Sequence, residues 1–147
     1  MSSVVCALRG GQGSLAVRLK AIERARERDL PLTFLSIIDL KPFTDIEEPL
    51  LPALASELSW MTEVLARLAM QQAQQQGVDA KIVIRKGDVK SEIDRYLRES
   101  EASLLMLGAP RGTTANVFGD DAVEQFAVSI QNNTGVAVEI ARPEELA

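Results

Sequence analysis

Short apolar runs alternate with longer amphipathic stretches along the whole chain, and the alternation predicts the elements. Val4 to Leu8 is a compact apolar run that stops at Arg9-Gly10-Gly11-Gln12-Gly13, the pattern of a buried strand ending in a glycine loop. Ser14 is a candidate cap for a helix whose inward stripe is Leu15, Leu19 and Ile22, with Arg18, Lys20, Glu23, Arg24, Arg26, Glu27 and Arg28 outward. Leu32 to Ile38 is almost continuously apolar, as suits a strand covered on both faces of a parallel sheet. After prolines at 42, 49 and 52, Leu54, Leu58, Met61, Leu65 and Leu68 step by four and three. That is one helical stripe, stopped at Gly77.

The second half repeats the alternation. Ala80 to Ile84 reads as an edge strand, and Asp88 caps a helix with Val89, Ile93 and Leu97 inward. Ser103 to Leu107 is a strongly apolar strand ending at Gly108. A loop follows, then a helix from about Asp120-Asp121 with Val123, Phe126 and Ile130 as its stripe, and Val136 to Ile140 is the last strand. Five strands separated by four helices predict an α/β three-layer sandwich with a parallel sheet. A length of 147 residues, with no visible repeat or linker, predicts one domain over residues 1–147.

Composition removes several function classes. The chain has no histidine, which excludes Ser-His-Asp and Cys-His catalysis and histidine-ligated metals. Cys6 is the one cysteine, so an internal disulfide is excluded, and its place in a strand reads as a buried core residue rather than a redox thiol. A net charge of −5 without a basic stripe argues against nucleic acid as a partner. No apolar run approaches the ~20 residues of a membrane span, and Met1-Ser2-Ser3 leads into a strand rather than a basic signal peptide, so a cytoplasmic location is expected.

Three features invite chemistry. Gly11-x-Gly13-x-x-Ala16 with Asp39 follows the dinucleotide spacing, but Arg9-Gly10 intervenes before the first glycine, and a tight turn explains the glycines better. Asp45, Glu47 and Glu48 fit the acidic first turn of the second helix more simply than a metal site. Trp60 and Met61 read by default as core, with Trp60 near a helix edge where it can join an interface.

Lys86-Gly87-Asp88-Val89, the strand Ser103 to Gly108 and the glycine-bearing return at Gly119 together resemble the universal stress protein family over essentially the whole chain. The resemblance implies a sheet of order 3-2-1-4-5 and frequent dimerisation through the last strand. Members differ in whether they bind ATP. Binders carry an aspartate after the first strand and a G-x2-G-x9-G-[S/T] segment whose amides hold phosphate. Here Arg9 stands for the aspartate, Gly108 matches the first glycine, Arg111 replaces the second with Gly112 one place on, and Asp120 replaces the hydroxyl residue. The spacing to Gly119 is also short.

Asp120 and Asp121 would occupy the helix N-terminus where a phosphate should settle, a place worth ~0.3–1 kcal/mol to an anion. Arg9, Arg111, Thr113 and Thr114 partly offset them. The expected reading is therefore a dimeric, non-catalytic regulatory module that binds ATP poorly, with Val136, Val138 and Ile140 on the dimerising edge. The alternatives are an ATP- or AMP-binding member with slow hydrolysis, a Rossmann-like dinucleotide binder, and a transporter-associated domain. The candidate ligand positions are Ala7, Arg9, Ile38, Gly108, Arg111, Gly112, Thr113, Gly119, Asp120 and Asp121. No catalytic residue and no metal ligand is assigned.

Overall fold

The computed structural model describes residues 2–8, 13–39, 48–108 and 120–141, with backbone only at 13, 14, 48 and 120–122. Strands β1 (Ser3–Leu8), β2 (Leu32–Ile38), β3 (Ala80–Lys86), β4 (Ala102–Gly108) and β5 (Ala137–Ala141) alternate with helices α1 (Gly13–Arg28), α2 (Leu51–Gln75), α3 (Val89–Glu99) and α4 (Asp120–Thr134). A single 3-10 turn, Glu48–Leu50, leads into α2. The five strands form one parallel sheet, as the alternation predicts, in the order β3-β2-β1-β4-β5 that the family resemblance implies.

The period of two in β1 divides the core between the two faces. Val4 and Cys6 point to one side, where Val17, Ala21 and Ala25 of α1 and Ala69 and Ala73 of α2 cover them. Val5 and Ala7 point to the other, under Ile93, Tyr96 and Leu97 of α3 and Val123, Ala127 and Ile130 of α4. The interior strands β1, β2 and β4 are buried on both faces, which is why they read as unbroken apolar runs. Beside them, β3 keeps intermediate exposure at most positions, as expected of an edge.

Two helical stripes are not where their spacing places them. Leu15 and Leu19 are 45% and 42% exposed, and Ala16, Val17, Ala21 and Ala25 face the sheet instead. In α2 the residues against the sheet are Ala66, Ala69 and Ala73, while Met61, Leu65 and Leu68 stand in solvent and Leu54 and Leu58 are only partly covered. Trp60 is likewise exposed rather than core. The reason is distance: alanine lets a helix axis approach the sheet closely, so small residues take the contact and larger ones turn aside.

Candidate functional site

The carboxyl ends of β1 and β4 define the site. β1 pairs with β2 as far as Leu8↔Ser36, but with β4 only as far as Cys6↔Met106. Strand order reverses around this point, since β1 leads outward to β2 and β3 while β4 leads the other way to β5. The sheet therefore opens between β1 and β4, the place where doubly wound folds bind ligands.

Ala7 and Ile38 lie at this end and are 8% and 5% exposed, so they form its floor rather than a contact surface. Gly108 ends β4 beside α1, and an added methyl there would rest 3.4 Å from Val17 Cβ, ordinary contact. Strand end and helix are thus packed close. α4 begins at Asp120, so its first two residues are both aspartates, as anticipated. Arg9, Arg111, Gly112, Thr113, Thr114 and Gly119 lie outside the described residues, as do Gly11 and Gln12 of the dinucleotide-like spacing and Asp45 and Glu47 of the acidic group. α2 begins at Leu51, so Glu48 belongs to the preceding 3-10 turn rather than to the first turn of the helix.

Two charged residues of α1 that the sequence pattern places outward, Arg18 and Arg24, are partly buried. Arg18 Nε is buried with no hydrogen-bond partner among the described residues. Its charge is felt at Cys6, whose thiol donates weakly to the Val17 carbonyl at 3.8 Å. Burial pushes the Cys6 thiol well up, and the Arg18 charge only partly opposes it, so Cys6 is a neutral core residue as expected. On the other flank of α1, Arg24 Nε donates to Glu139 Oε1 at 2.8 Å, tying the helix to β5. That hydrogen bond, helped by the Glu139 charge, raises the Arg24 pKa against the cost of burial.

At the far side of the sheet end, the Lys86-Gly87-Asp88-Val89 segment acts structurally. Gly87 has φ +143 and donates its N–H to the Ile38 carbonyl at 3.0 Å. Asp88 Oδ2 accepts from the Ser91 backbone N–H at 3.0 Å and from its hydroxyl at 2.9 Å, capping α3. Glu92, 7% exposed, lies against Gly87 and meets Arg95 Nη1 at 3.2 Å. Among the described residues, no three His, Cys, Asp or Glu side chains gather as a metal site, and no helix is long and apolar enough to cross a membrane.

A parallel sheet of order 3-2-1-4-5 with its opening at the β1–β4 switch point defines a class of small α/β proteins. The universal stress protein family model matches residues 1–122, and the chain belongs to that family. Among solved structures it is similar to a universal stress protein UspA from Lactobacillus plantarum, at 22% identity and TM-score 0.72 over 96% of this chain and 97% of that one. A universal stress protein in complex with cAMP is 16% identical, TM-score 0.64, over 96% of each chain. A family protein from Arabidopsis thaliana with AMP bound is 15% identical, TM-score 0.61, over 97% and 92%. At these identities the likeness establishes the fold. No individual curated protein matches the sequence.

Proposed function

We propose that this chain is a cytoplasmic, non-catalytic regulatory module whose crevice between β1 and β4 disfavours a nucleoside triphosphate. The observation that carries the reading is that α4 starts on Asp120-Asp121. The first turn of a helix offers unpaired N–H groups and a partial positive charge to one anion. Two carboxylates there compete with a phosphate chain for the same groups and repel it. Arg9, next after β1 in the sequence and in place of the acidic residue expected of ATP binders, supplies a single positive charge against those two negative ones. That favours a ligand with few negative charges. The relatives solved with AMP and with cAMP make an adenine mononucleotide the ligand class to test.

The same reading makes β5 a dimer edge. β5 is the outermost strand, and Val138 and Ile140 are only partly covered by the α3–α4 side of the core, whereas Val136, expected on this edge, precedes the strand and is buried in the core. Pairing with a second β5 across a two-fold axis closes the sheet edge. Calorimetric titration with ATP and with AMP tests the ligand half of the reading. AMP should bind more tightly than ATP, and ATP binding at least as tight as AMP overturns it.

A further inference from the structure

Eight large apolar side chains stand in solvent on one side of the molecule. Leu50, Trp60, Met61, Val64, Leu65 and Leu68 belong to α2 and the turn before it, and Leu15 and Leu19 to α1; exposure runs from 37% at Val64 to 64% at Trp60. With Ala66, Ala69 and Ala73 against the sheet, a step of about 100° per residue places these α2 residues on one arc. The arc runs from the side opposite the sheet, at Trp60, round to the flank at Leu65. That flank faces α1, because Arg26 Nη1 donates to Gln76 Oε1 at 3.2 Å and Gln76 shares the flank with Leu65. Leu15 and Leu19 lie on the Arg26 side of α1 by the same spacing and form the opposing wall.

At on the order of 150–200 Å² for a large side chain, these exposures amount to roughly 600–750 Å² of apolar surface. The largest patch on a typical monomer is about 300–600 Å², and a stable interface buries about 800 Å² per partner. The surface thus has the extent of one half of an interface. Its charge pattern selects what fills the other half. Glu57 is the one charged residue on the arc, and Arg67 stands at its margin ten residues on, holding Glu63 through Nη2 at 2.8 Å and Nε at 3.2 Å. An antiparallel second helix of the same sequence, centred near Thr62, brings each Glu57 level with the other copy's Arg67. A parallel copy would set Glu57 against Glu57.

We propose that the outer face of α2 is an interface between two copies of this chain, packed antiparallel across a two-fold axis that passes between Trp60 and Val64. It is independent of the ligand reading and of the β5 edge; a chain using both contacts assembles beyond a dimer. Trp60, the sole tryptophan, sits on the proposed face and reports on it alone. Dilution of the wild-type protein should red-shift Trp60 emission as the mass by light scattering falls. Leu68→Glu, at an exposed position, should show the red-shifted emission at every concentration with an unchanged far-UV circular dichroism spectrum and a smaller particle. Glu57→Arg and Arg67→Glu should each weaken association, and the double exchange should restore it. An emission that ignores both dilution and Leu68→Glu overturns the proposal, whatever β5 does. So does a 16.0 kDa wild-type particle at ~100 μM.

Discussion

Cys6 and Met106 are the last paired residues of β1 and β4, and beyond them the two strand ends part while β1 stays paired to β2 as far as Leu8. This early end of pairing makes the crevice. Ala7 and Ile38 lie beneath that opening, Gly108 packs against Val17 beside it, and α4 starts on an aspartate pair.

If Asp120 and Asp121 exclude phosphate, neutralising them should admit it. Asp120→Asn and Asp121→Asn are each expected to tighten ATP binding by roughly two- to five-fold, the value of one charge at a helix N-terminus. AMP affinity should change less. Titration calorimetry on the single and double variants reads this directly, and an unchanged ATP affinity in the double variant would count against the repulsion.

Gly87→Ala is expected to destabilise the protein by about 1–3 kcal/mol, the range for a residue forced into a disfavoured backbone region. At φ +143 an added Cβ is strained, and it would also meet Glu92 Cγ at 3.1 Å. Urea denaturation measures the loss. A variant as stable as the wild type would show that the turn rearranges freely.

The Arg24–Glu139 contact at 2.8 Å joins α1 to β5, and both side chains are roughly three-quarters covered. Glu139→Gln should cost about 0.5–1 kcal/mol, more than a fully exposed pair but less than a buried one. The loss should shrink in high salt. Because β5 is the edge strand, hydrogen exchange should quicken there before it does in β1.

Cys6 gives a pH dependence with a definite sign. Its folded pKa lies above the ordinary thiol value of 9.0, so its contribution is complete below that pH and is lost as pH rises further. The slope from this one group is about 1.4 kcal/mol per pH unit above its unfolded pKa. Cys6→Ala should be less stable at pH 8 but lose less stability between pH 9 and 10 than the wild type. Equal slopes in the two proteins would mean that the thiol does not stay protonated.

Most of the fold is legible in the sequence because its strands are short, apolar and stopped by glycine or proline. Lys86-Gly87-Asp88 is legible as a turn and cap for a physical reason now visible: only Gly87 has the freedom for φ +143, and Asp88 has the acceptor for Ser91. The misplaced stripes show where periodicity stops. Leu54 to Leu68 has a helical period, but a period does not say which face meets the sheet. Alanines at 66, 69 and 73 win that contact by size, and the leucines turn toward α1 and solvent. The Arg24–Glu139 tie spans 115 residues and has no local signature at all. Of the candidate ligand positions, Ala7, Ile38 and Gly108 lie at strand ends and Asp120 starts α4, whereas Arg9 and 111–119 lie outside the described residues.

The most direct test of the central claim is calorimetric titration of the wild-type protein with ATP at moderate salt. The expected Kd is weaker than ~100 μM, about −5.5 kcal/mol. A Kd of ~10 μM or tighter would contradict it, because a triphosphate would then be settling comfortably beside Asp120 and Asp121.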